Sequence, residues 1–188
     1  MRLAELQARH GDAITVEWCS YLLRPEPEER PLDKFTEYTR NWERTGSMEP
    51  RTTFNAWSGK NAPPSHSFPS AMAGKLAASF GAEARENYSK RLFEAYFIEN
   101  RTISDRSVLL DVAAEAGLDR AEFDAAWSAY DTDLTRDVWS DYQSAINAGI
   151  RGVPAVVVNR RYLVSGAVDV DEYERVIAQA LNPSPPEE

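Results

Sequence analysis

The stretch GIRGVPAVVVNRRYLVSGAVDVDEYERVI, residues 149–177, decides the fold. Its period changes twice. AVVVN and RYLVS are short apolar runs separated by almost nothing and centred on Asn159-Arg160, the pattern of a β-hairpin. DVDEYERVIAQAL then places Tyr173, Val176, Ile177, Ala180 and Leu181 at helical spacing, with acidic residues in the first turn, where the helix dipole favours them. Pro154 opens the first apolar run, a position where a missing N–H costs a strand little.

Upstream of this stretch the sequence is helical almost without interruption. Helices are expected over 70–80 and 82–98, with a stop at Gly81. A third starts at a Ser104–Asp105 cap and ends at Gly117, burying Val108, Leu109, Val112, Ala113 and Ala116. Two more are expected over 119–130 and 133–149. Residues 45–69 read as a long ordered loop whose Phe54, Trp57 and Phe68 pack on something, and loops of that length are often functional. LDKFTEYTRNWER (32–44) is a helix carrying Phe35, Tyr38 and Trp42, and RPEPEERP before it is a charged break. ITVEWCSYLL, from Ile14, alternates as a strand, and residues 2–10 form an amphipathic helix. The order is helix, strand, about five helices, hairpin, helix. Strands at both ends of a helical block are expected to meet in one sheet, since each alone leaves open edges.

Composition excludes several classes of function. The chain has 188 residues, with 21 Lys and Arg against 30 Asp and Glu, a formal charge of −9. Hydrophobic residues make up 43%, enough for a globular core. An acidic balance argues against nucleic acid, whose phosphates need clustered cations. No apolar run reaches the roughly 20 residues that span a bilayer, and the N-terminus is not a signal peptide. One cysteine, Cys19, rules out an intrachain disulfide, a Cys-rich zinc site or an iron–sulfur cluster. With two histidines, His10 and His66, no metal site and no cofactor are expected. The acidic, nearly thiol-free composition suggests a cytoplasmic protein.

Gly152-Val153-Pro154 before an apolar strand, the short hairpin, and Ser165-Gly166-Ala167 leading into the last helix resemble the C-terminal half of the DsbA-like thioredoxin-fold family. RLFEAYFIENRTISDRSVLLDVAAEAGLD (91–119) and SFPSAMAGKLAASFG (67–81) resemble the helical insertion of its cytoplasmic, FrnE-like branch, and VEWCSYLLRP resembles its second strand. The resemblance implies an α/β thioredoxin-like fold with a large all-helical insertion and the first β-strand missing. The expected domains are 1–30 with 148–182 for the incomplete thioredoxin-like part, 31–147 for the insertion, and 183–188 for a disordered tail. The family carries a first strand and a Cys-x-x-Cys at the start of the first helix. This sequence opens inside that helix and contains no Cys-x-x-Cys. The expectation is an incomplete record of a DsbA-like protein, starting at an internal Met1.

By resemblance, the function is thiol–disulfide exchange without the catalytic pair. Such exchange needs a low-pKa thiolate at a helix N-terminus and a second thiol to resolve the mixed disulfide. Gly152, Val153 and Pro154 are the expected substrate-binding residues: the family's Val-Pro bond is cis, and the residue before proline offers its backbone to an extended polypeptide or thiol substrate. Cys19, mid-strand with no helix N-terminus to activate it, is only a weak catalytic candidate, so no catalytic residue is assigned. One alternative is a glutathione-dependent enzyme like kappa-class glutathione transferases or 2-hydroxychromene-2-carboxylate isomerases, which share the fold and insertion. Another is a non-catalytic binding module, with a homodimer through the open sheet edge as one form.

Other groups read more simply. Ser65-His66-Ser67 lacks a nucleophile elbow, and a hydrolase triad is recognised by geometry rather than inventory. His10 suits a cap at a helix end. Asp131, Asp133, Asp137 and Asp141, with Arg136 among them, read as a solvated face. Trp42, Phe54, Trp57, Phe68, Tyr96 and Phe97 are expected mostly as packing between the insertion and the sheet, with one or two of the loop aromatics exposed to a ligand.

Overall fold

The computed structural model describes residues 2–48 and 53–181. The expected tail, 183–188, lies outside the described residues. The chain divides into two compact units, one of Met1–Tyr21 with Asp141–Glu188 and one of Leu22–Ser140.

The first unit is built on the hairpin. Strands β1 (Ala155–Val158) and β2 (Tyr162–Ser165) pair antiparallel, with Val156 opposite Val164 and Val157 opposite Leu163. Asn159 and Arg160 both take positive φ, 50° and 54°, and the Arg161 N–H closes the turn on the Val158 carbonyl. One sheet face is apolar and covered. Val164 packs with Leu6 of helix α1 (Arg2–His10) and with Tyr173, Val176 and Ile177 of helix α8 (Val170–Leu181), and Val156, Val158, Tyr162 and Ile14 close around them. Two side-chain contacts lock α1 onto this layer. The Arg2 guanidinium donates to the Val168 carbonyl at 3.0 Å, and His10 Nε2 lies 2.6 Å from Glu174 Oε2. His10 is therefore an interhelical partner rather than only a cap.

The expected opening strand is not part of the sheet. Among the described residues the sheet has two strands, and Ile14–Ser20 joins no ladder. Alternating β-branched residues fit a pleated surface, but a strand exists only with a neighbour to pair with. Ile14 still joins the core, while the Ser20 N–H donates to the Asp141 carboxylate at 2.6 Å. The opening segment and the hairpin thus share a core, not a ladder.

The second unit is the all-helical insertion. It holds α2 (Leu32–Thr39), α3 (Trp42–Met48), α4 (Phe68–Ser79), α5 (Ala82–Phe97), α6 (Arg106–Glu115) and most of α7 (Arg120–Asn147). The Asp105 carboxylate accepts from the Ser107 N–H as the N-cap of α6, and Gly117 at φ 92° follows its end. Two expectations change here. The helix expected over 32–44 is two helices broken at Arg40–Asn41, and the second runs on to Met48, inside the expected loop. The helices expected over 119–130 and 133–149 are one 28-residue helix, because neither glycine nor proline interrupts 120–147.

The aromatic residues form this unit's own core. Phe35 meets Trp57 and Trp42, Trp42 meets Tyr96 and Phe97, and Phe54 meets Phe93 and Phe97, at centroid distances of 4.9–6.1 Å. Phe54 and Phe68 are half-buried and Trp57 is 1% exposed. None of these three aromatics is fully exposed. The loop is tied down by polar contacts: Trp57 N–H donates to Thr39 Oγ1 at 2.8 Å, and Ser58 N–H donates to Asn100 Oδ1 at 2.7 Å.

Candidate functional site

Helix α7 ends in a double hydrogen-bonded cap. Gly149 takes φ 75° and its N–H bonds the Ile146 carbonyl, while the Ile150 N–H reaches back to Ala145. The chain leaves this cap directly into Arg151, Gly152, Val153 and Pro154, all exposed, and then enters β1. The Val153–Pro154 peptide bond is cis. Val153 is 48% exposed.

Pairing parity decides which backbone groups of this segment are available. The Gly166 N–H donates to the Pro154 carbonyl at 2.8 Å, so Pro154 faces β2. In an antiparallel ladder, inter-strand bonding alternates along each strand. Val156 and Val158 therefore also bond toward β2, and the N–H and C=O groups of Ala155 and Val157 point away from it. Among the described residues no strand pairs with that outer edge. The side chains of Val153, Val157 and Leu163, 48%, 43% and 43% exposed, lie away from the covered core. A Cβ built on Gly152 would meet nothing within 4 Å, so the approach to the loop is open.

The covered face of the hairpin packs on Tyr173, whose hydroxyl pKa burial pushes up and the nearby Arg2 charge partly restores. The outer edge of β1 is chemically plain: backbone donors and acceptors beside apolar side chains. Main-chain pairing with an unpaired strand edge is one general way of binding an extended chain.

The structure brings Gly152, Val153 and Pro154 together at this loop, and it places the remaining candidates elsewhere. Cys19 is exposed, between α1 and α2, and no helix begins at it. Ser65 Oγ lies 2.9 Å from His66 Nδ1 in the second unit, but no carboxylate bonds His66 among the described residues. Asp133 and Asp137 pair with Arg136 at 2.8 and 3.0 Å, and Asp141 belongs to the Ser20 contact. Arg151 escaped the motif reading, although it adjoins Gly152 and the sequence from Tyr142 to Val168 contains no Asp or Glu.

Comparison with known proteins gives a consistent picture. The family model for the DSBA-like thioredoxin domain matches residues 1–178. The protein YwbO of Bacillus subtilis (strain 168) is 27% identical over 176 residues, 92% of this chain and 85% of YwbO. The thiol:disulfide interchange protein DsbA of Bordetella pertussis is 29% identical over 89 residues, 47% of this chain and 42% of that protein. Among solved structures, the cytosolic disulfide reductase DsbM of Pseudomonas aeruginosa with GSH superposes with a TM-score of 0.72, covering 96% of this chain and 91% of DsbM at 18% identity. At that identity the likeness shows the fold alone.

Proposed function

The chain belongs to the DSBA-like thioredoxin-domain family, and on that premise we propose that its Gly152-Val153-Pro154 loop docks an extended polypeptide or thiol substrate for thiol–disulfide exchange. The observation that supports this reading is the unpaired outer edge of β1, formed by the backbone of Ala155 and Val157 directly after the exposed Val153. Main-chain pairing there holds a substrate without reading its sequence. The test compares a fluorescein-labelled peptide with its N-methylated analogue by anisotropy. Main-chain docking requires that methylation abolish binding, and equal binding of the two removes the proposal.

The 188 residues contain a single thiol. Cys19 could form a mixed disulfide but has no second thiol to resolve it. These residues alone are therefore expected to give insulin reduction no faster than background, and clear turnover would refute that expectation. We assign the protein to the cytoplasm, in keeping with its likeness to a cytosolic reductase. No described helix is long and apolar enough to cross a membrane.

A glutathione-dependent activity of the kappa-class transferase or 2-hydroxychromene-2-carboxylate isomerase type is the second reading. What supports the glutathione part of this reading is that DsbM, a disulfide reductase of the same fold, was solved with GSH. Calorimetric titration with glutathione separates the two: heat from glutathione but not from the peptide supports the second reading.

A further inference from the structure

Arg151 stands two residues before Val153, exposed, and it enters no hydrogen bond or ion pair among the described residues. Arg9, Arg91, Arg101, Arg106, Arg120, Arg136 and Arg175 all hold carboxylates, whereas Arg151, like Arg40 and Arg160, holds none among the described residues. Its surroundings in sequence are equally one-sided. From Tyr142 to Val168 there are three arginines, Arg151, Arg160 and Arg161, and no Asp or Glu, although the whole chain carries −9. Arg160 and Arg161 sit at the hairpin turn, separated from the loop by the four residues of β1, about 13 Å of strand. Only Arg151 adjoins the docking loop, at most ~7 Å along the backbone from Val153.

We propose that Arg151 is a specificity-determining residue that selects extended polypeptide substrates carrying Asp or Glu next to the segment that pairs with Val153. This rests on the docking reading above. An uncompensated guanidinium beside a sequence-blind backbone edge adds what that edge lacks, a preference for one class of side chain. It can also form a bidentate bond with a carboxylate. A second copy of the chain is the poorer occupant. A two-fold antiparallel pairing of β1 with its copy would set Arg151 against the partner's turn arginines, like charge against like.

The experiment uses the full chain and three fluorescein-labelled peptides of about eight residues, long enough to span the edge. They share an alternating Val/Thr core and differ only in flanking Asp, Ser or Lys. The expected order of affinity is Asp over Ser over Lys, with the Asp preference shrinking between about 0.05 M and 0.3 M salt. Arg151→Glu should weaken the Asp peptide by roughly fivefold or more and leave the Ser peptide unchanged. Arg160→Glu makes the same change in net charge and should move neither. Equal affinities for all three peptides, or equal effects of the two variants, overturn the role of Arg151 while leaving the docking edge intact. Failure of every peptide to bind overturns both. Arg151 is exposed and without partners, so its variant should melt like the parent, which circular dichroism checks.

Discussion

Asn100 offers a sharp test of how the insertion is held together. It is 3% exposed and adopts φ 57°, a left-handed conformation that asparagine tolerates and most residues do not. Its Oδ1 accepts from the Ser58 N–H at 2.7 Å, its Nδ2 donates to the Asn55 carbonyl at 3.3 Å, and its own carbonyl accepts from Asn61 Nδ2 at 2.8 Å. Replacing it with alanine removes both side-chain bonds, about 1 kcal/mol each, and forces a Cβ without polar compensation into left-handed backbone, about 1–2 kcal/mol. Asn100→Ala should therefore cost about 3 kcal/mol. Asn100→Gly loses the same bonds but escapes the steric term, so about 2 kcal/mol is expected. Urea denaturation at unchanged m-value gives both numbers, and amide exchange at Ser58 reports the broken bond directly. If the two variants are equal, the backbone argument fails. If both cost under about 1 kcal/mol, the bonds are not what anchors the loop.

Further outcomes follow from particular residues. Leu6 is 2% exposed against Val164, Tyr173, Val176 and Ile177, so Leu6→Ala should cost about 3 kcal/mol in urea denaturation, and a loss below about 1 kcal/mol would contradict that packing. Arg160 sits at φ 54° in the hairpin turn, and Arg160→Gly should stabilise by about 0.5–1 kcal/mol, seen as a higher denaturation midpoint; a lower midpoint would refute the strain. The Arg91 hydrogen bond, with the Arg91 and Arg101 charges, holds the Glu99 carboxyl below its usual range. A depressed folded pKa means the contribution is present above the unfolded value of about 4.3 and is lost as pH falls through the folded one. With the Glu99 side chain 42% exposed, the gain should be under about 1 kcal/mol, and the gap between parent and Glu99→Gln should close on acidification; a pH-independent gap would exclude it.

Sequence alone determined what is local. Asp105 as a cap, Gly117 and Gly149 as helix ends, and the turn at Asn159-Arg160 are each set within a few residues, so their chemistry reads directly from the chain. The Gly152-Val153-Pro154 motif was legible for the same reason. Tertiary structure alone decided everything that needs a partner distant in sequence. Ile14–Ser20 has the composition of a strand and no ladder, because hydrogen bonds need a second strand beside it. His10 meets Glu174, and Asn100 is built into the loop at Ser58, through contacts that no spacing rule anticipates. The sequence places Arg151 beside Gly152 in a stretch without Asp or Glu, but does not say whether a distant carboxylate reaches it. Its lack of a carboxylate partner is a property of where other side chains fall in space, and only coordinates supply that.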